Sequence, residues 1–211
     1  ILNDLPSSIK SKFVLLQNKT KKYALRNQVE IIQQLDDEGI VVLLDGDDWL
    51  VNNPDIFNII NNEYNSGAEF TYGSCHSLAD SIDLIAQPYP NYVHEDKSYR
   101  EYLFNWGMPY THLRTFKTEL FNKVSQDNFM DENGEFYRAG GDNALFYPLI
   151  EACSDYRNIR PLQQVLYVYN DLNKLNDYKV NPVEQNKNAE KIRNRTIDIS
   201  DIYAVNKIKE S

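Results

Sequence analysis

The stretch "GIVVLLDGDDWLVNN", residues 39–53, sets an apolar run, Ile40 to Leu44, directly against Asp45, Gly46, Asp47 and Asp48. β-Branched and aliphatic residues bounded by Gly39 predict a strand covered on both faces, as in a parallel sheet. The carboxylates need a separate explanation. Three of them in four positions repel one another, and burying them unpaired is expensive. A metal ion or bulk water would offset that repulsion. Beyond the C-terminal end of a parallel strand lies the crevice in which open α/β sheets bind ligands. In extended backbone Asp45 and Asp47 point the same way, and Gly46 permits a tight bend and close approach of a ligand. Two oxygen donors on one side, completed by water and ligand phosphates, suit Mg²⁺ or Mn²⁺. Asp and Gly are also turn residues, so a solvated turn is the plainer alternative.

Working outward, strands and helices alternate. Lys12–Gln17, "KFVLLQ", predicts a short buried strand. Residues 21–36 predict a helix, with Ala24, Leu25, Val29, Ile32 and Leu35 at helical spacing. Asn53-Pro54-Asp55 opens a second helix through about Tyr64, and "AEFTYGSC" is a further strand. This order implies parallel βαβ units. From Leu78 to Asn105 the chain is aromatic and irregular. "TELFNKV" and "DNALFYPLIEAC" predict helices, "MDENGEFY" a polar turn, and "VLYVYN" a strand. The expectation is one α/β domain over residues 1–211, with a core at about 12–180 and a peripheral helical tail at 181–211.

The composition narrows the function. The 211 residues are 42% hydrophobic and carry a net charge of −9. An acidic surface argues against nucleic acid and against an anionic membrane face, though not against one local basic pocket. No apolar run approaches the ~20 residues of a membrane span. Cys75 and Cys153 form neither a disulfide framework nor a zinc pattern, which predicts a reducing, cytoplasmic location.

Metal-site alternatives can be tested on the residues. An EF-hand loop starting at Asp45 needs Glu at its twelfth position, where Ile56 stands. A phosphohydrolase of the haloacid dehalogenase type also ends an apolar strand in Asp-x-Asp. It wants a small Thr or Val two residues after the second Asp, where this chain has Trp49.

Several segments together resemble the family 2 glycosyltransferases of the GT-A fold. They are "NKTKKYALRNQ", "VVLLDGDDWL", "THLRTFKTELF", "GGDNALFYPLIEA" and "VLYVYN" followed by "LNDYK". The third is similar to a viral and bacterial subgroup. The matches run in order from about Asn18 to Lys179. The resemblance implies a GT-A, Rossmann-like α/β fold with a mostly parallel sheet flanked by helices. Nothing before Asn18 fits the family's first strands, so that sheet is expected to lack its N-terminal nucleotide-binding part. Some relatives place a His after the closing strand; Asn176–Lys179 has none.

The resemblance further implies an inverting, metal-dependent transfer of a sugar from a nucleotide diphosphosugar, UDP-linked first, to a hydroxyl on a glycan, protein or lipid. Asp47 is then the direct ligand of Mn²⁺ or Mg²⁺. Asp45 contacts the ribose or the metal shell, with Asp48 close by. Arg26 and Asn27 meet the nucleotide, Arg being suited to bidentate phosphate contact. Asp142, after Gly140-Gly141, is the candidate general base, and would equally serve as a helix cap. Trp106, His112, Arg114 and Gly141 are candidate substrate contacts. The aromatic run Tyr89, Tyr92, Tyr99, Tyr102, Phe104, Trp106 and Tyr110 offers either sugar-stacking faces or packing. Two alternatives stay open: a phosphohydrolase with Asp45 as nucleophile, and an inactive module that binds a glycan or partner.

Overall fold

The computed structural model describes residues 6–103 and 111–195. In chain order the elements are α1 (Ser7–Lys10), α2 (Tyr23–Ile32), β1 (Ile40–Leu43), β2 (Trp49–Leu50), α3 (Ile56–Asn65), β3 (Phe70–Ser77), β4 (Ile82–Leu84), α4 (Asn91–Asp96), β5 (Arg114–Lys117), α5 (Thr118–Asn122), α6 (Gly141–Ala152), β6 (Ile159–Tyr169), α7 (Asp177–Val180) and α8 (Pro182–Arg193). Phe104, Trp106 and Tyr110 lie outside the described residues.

The sheet runs β1-β5-β3-β6-β2, with β4 pairing the far half of β3. It is mixed, not mostly parallel as the sequence suggested. Only β3 and β6 run parallel; β1–β5, β3–β5, β3–β4 and β2–β6 are antiparallel. The reason lies in β1. Its neighbour is β5, a four-residue strand far along the chain, and β1 closes one end of the sheet. An apolar run reports burial but not the direction of its partner. Lys12–Gln17 is also corrected. It forms no strand and stands in solvent, with Val14 82% exposed. It has strand composition without a ladder partner among the described residues, and a strand exists only where its backbone groups pair.

Helices cover both faces. On one, α2 presents Leu25, Val29 and Ile32 at helical spacing to Val41, Phe70, Phe116 and α6. On the other, Ile56, Ile60 and Tyr64 of α3 pack with Cys75, Leu113, Leu162 and Leu166. Helix α6 is buried continuously from Asn143 to Ile150, with Pro148 inside it. The ring there removes one intrahelical donor. Helix α8 is less peripheral than expected: Ala189 and Ile192 are buried, and Asn188 donates to the Ala139 carbonyl at 3.0 Å. Of the aromatic run, Tyr89 and Tyr99 are core, Tyr102 packs against it and Tyr92 is exposed. Tyr89 meets Tyr99, Tyr72 and Tyr102 at ring separations of 5.2, 6.1 and 5.9 Å. Among the described residues, no helix is long and apolar enough to cross a membrane.

Candidate functional site

Antiparallel pairing of β1 with β5 sets Leu43 opposite Arg114. The acidic turn after β1 therefore meets the residues just before β5, which is how Asp45 and His112 come together across the chain. The start of α6 and the segment after β6 complete the enclosure. The result is a cavity of about 390 Å³ whose lining includes Asp45, Asp47, Asp48, His112, Arg138, Gly141, Asp142, Tyr169, Asn173, Asn176 and Gln185.

Asp45, Asp48 and His112 each bring a potential ligand atom to within 4.8 Å of the others. Asp48 is fixed on both oxygens: Oδ2 accepts from the Tyr167 hydroxyl at 2.5 Å, and Oδ1 from the Asn170 N–H at 2.7 Å. Burial raises its pKa against the pull of those two bonds. Burial and the charge of Asp142 push the Asp45 carboxyl up to about 6, with Arg114 opposing. Asp47, first in line as metal ligand on the sequence, instead turns its carboxylate to the Asn173 amide. Asn170, Asn173 and Asn176, three residues apart, tie the segment after β6 together. The Asn170 amide donates to the Asp47 carbonyl and the Asn176 amide to the Asn170 carbonyl, each at 3.2 Å.

His112 lies face to face with Tyr167 and Tyr169, at 4.6 and 5.1 Å between ring centres. Burial, then the nearby Arg114 charge, holds its pKa well below the usual imidazole value, so the ring is neutral. Arg114 Nη2 lies 2.8 Å from His112 Nε2. A guanidinium can only donate, so Nε2 accepts and the ring proton sits on Nδ1, 3.9 Å from Asp45 Oδ2. While Nδ1 holds that proton it has no lone pair to offer a metal. The donors that fit a hard divalent cation are thus the carboxylates of Asp45 and Asp48, with Asp47 adjacent.

Arg114 Nη1 donates to Asp142 Oδ2 at 3.0 Å, and its guanidinium lies 4.8 Å from the Phe146 ring. Asp142 sits in the first turn of α6 but does not cap it: Gly140, with φ 73°, is the N-cap and no side chain caps the helix. The carboxylate instead faces the cavity from a helix N-terminus, where negative charge is favoured.

Arg26 and Asn27 are not brought to this cavity. Arg26 pairs with Glu30 at 2.8 Å and lies over the Phe136 ring, and Asn27 accepts from Asn18 at 2.7 Å. The face of α2 that lines the cavity carries Ala24, Leu25 and Gln28. At about 100° of rotation per residue, Arg26 is turned away from it. Gly141 does line the cavity, but its packing has another cause: a Cβ there would sit 2.9 Å from Leu25 Cβ. The sequence reading missed Arg138, Gln185 and the asparagines. The threefold Asn spacing was a usable signal; for Arg138 and Gln185 there was none. The Gln185 Oε1 is buried with no hydrogen-bond partner among the described residues. No family model matches the chain, and no curated protein matches it at a significant level.

Proposed function

We propose that this chain is a metal-dependent, inverting glycosyltransferase that moves a sugar from a nucleotide diphosphosugar, UDP-linked first, to a hydroxyl acceptor. One observation carries the reading: the acidic turn of Asp45 to Asp48 and the carboxylate of Asp142, distant in sequence, line a single cavity. Transfer needs both kinds of group. A divalent ion held by Asp45 and Asp48, with Asp47 beside them, would supply Lewis-acid stabilisation of the leaving diphosphate. Asp142 takes the acceptor proton. Arg114 occupies Asp142 Oδ2, so Oδ1 is the oxygen left for the acceptor. Arg114 holds Asp142 while bonded to the buried, neutral His112, and a fixed partner of this kind cuts the reorganisation needed at the moment of reaction.

The test is a thermal-shift screen of UDP-, GDP- and dTDP-sugars with Mn²⁺, followed by an assay of released nucleotide. A metal-dependent shift with one donor class and slow nucleotide release supports the reading. No shift across the panel, together with Mg²⁺-dependent release of phosphate from a simple monoester, would replace it with a phosphohydrolase. A well-folded chain that does neither is a binding module.

A further inference from the structure

The cavity's charge is lopsided. Asp45, Asp47, Asp48 and Asp142 all line it, whereas Arg138 is the one cationic side chain among the described lining residues. Arg114 is buried and committed to Asp142 and His112. Arg138 forms no ion pair with a described carboxylate, although the molecule is rich in them. Its guanidinium instead stands 5.8 Å from the centre of the Tyr23 ring, and the Lys21 ammonium lies 4.5 Å from the same ring. Tyr23 holds a left-handed backbone, φ 62°, at the start of α2. For a bulky residue that conformation is costly and persists only where its surroundings enforce it.

Arg138 is therefore a cation in the lining of an acidic cavity with no ion pair to the carboxylates beside it, free to meet an arriving anion. The arrangement makes sense when an anion arrives. We infer that Arg138, seated on Tyr23 beside Lys21, is the residue that receives the diphosphate of the bound ligand. It thus fills the part that the sequence offered to Arg26. This rests on the nucleotide-sugar reading but is tested apart from it. A guanidinium meets two phosphate oxygens at once, a geometry that lysine cannot match. A cation bound by the acidic turn and Arg138 in the same cavity lining would then meet the diphosphate together.

Isothermal titration of the full chain decides it, with inorganic pyrophosphate, UDP and uridine as probes, each with Mn²⁺, and Mn²⁺ alone. Arg138 is exposed, so Arg138→Ala and Arg138→Lys are expected to fold, which a thermal melt checks. Arg138→Ala should weaken pyrophosphate and UDP about 10- to 100-fold, Arg138→Lys less, with uridine unaffected and Mn²⁺ alone bound no more weakly. Pyrophosphate binding by Arg138→Ala within about twofold of the parent overturns the inference while leaving the transferase reading standing. Binding of pyrophosphate through Arg138 without binding of any nucleotide upholds the anion site and sinks the transferase. A parent chain that binds no pyrophosphate in the presence of Mn²⁺ overturns the inference outright.

Discussion

Arg114 joins the two halves of the site, donating from Nη1 to Asp142 Oδ2 at 3.0 Å while Nη2 meets His112 Nε2 at 2.8 Å. The guanidinium is buried and Asp142 is partly in water. Arg114→Ala removes a cation from among acidic groups and also the stack on Phe146. Breaking a fully buried pair costs about 3–5 kcal/mol; access of Asp142 to water brings the expectation down to about 2–3 kcal/mol. Urea unfolding measures it. A loss below about 0.5 kcal/mol would mean that the pair does not organise the site.

Asp142→Asn keeps an oxygen for Arg114 and removes the proposed base. Stability should stay within about 1 kcal/mol of the parent, donor binding should persist, and transfer should fall about 10²- to 10⁴-fold. Near-normal transfer by this variant would exclude Asp142 as the proton acceptor.

Asp47 and Asp48 separate by their stability cost. Asp48 accepts two hydrogen bonds that tie the acidic turn to β6 and the segment after it, so Asp48→Ala should cost about 2–3 kcal/mol. Asp47 is held by one side-chain amide beside solvent, and Asp47→Ala should cost less than about 1 kcal/mol. Both should weaken Mn²⁺. Thermal melts and Mn²⁺ titrations of the two variants, run side by side, check this. Equal stability losses would contradict the hydrogen bonding described.

What could be read from the residues alone was local. Periodicity placed α2, the Asn53-Pro54-Asp55 start placed α3, and the apolar runs placed β1, β3 and the end of β6, because burial leaves a pattern in a single segment. Strand direction did not follow, because β1 pairs with "RTFK", a segment too short and polar at its ends to announce a partner. The run at Lys12–Gln17 misled for the converse reason: its composition suits a strand, but no described strand lies beside it. The acidic turn stood out as carboxylates next to glycine after an apolar run, and Asp142 through the resemblance of "GGDNALFYPLIEA"; the fold brings both to one cavity. Arg138 was not, since nothing in "EFYRAGGD" tells a surface arginine from one facing a cavity. Arg26 was over-read: its place beside Asn27 matched a pattern, but the helix phase turns it toward Glu30.

The Asp45 carboxyl gives two pH dependences of opposite sign. Its pKa in the folded chain, about 6, lies above the ordinary 3.8. The folded state therefore holds this proton more tightly than the unfolded state, and stability falls as pH rises from about 4 through 6. Asp45→Asn removes that dependence, so the metal-free variant should melt higher than the parent at pH 7.5, by a few °C at most, with the gap closing near pH 4. Mn²⁺ needs the ionised carboxylate, so its affinity should drop about tenfold from pH 7 to pH 5. A metal-free parent that melts higher at pH 7.5 than its Asp45→Asn variant would contradict the first expectation, and a flat Mn²⁺ profile the second.

Gly46 and Gly141 both line the cavity and should answer to the same substitution in opposite ways. A Cβ at Gly141 would lie 2.9 Å from Leu25 Cβ, in the contact between α2 and α6. Gly141→Ala forces those helices apart and should cost about 1–3 kcal/mol, less the small gain from alanine's helix preference. A Cβ at Gly46 meets nothing within 4 Å, and Gly46 does not need a positive φ. Gly46→Ala should leave stability within about 0.5 kcal/mol of the parent. If its glycine serves the approach of a ligand to the acidic turn, the same variant weakens UDP with Mn²⁺ while its melting curve is unchanged. Melting and titration of both variants separate the two roles. A Gly46→Ala chain that binds UDP and Mn²⁺ like the parent would reduce that glycine to an ordinary turn residue.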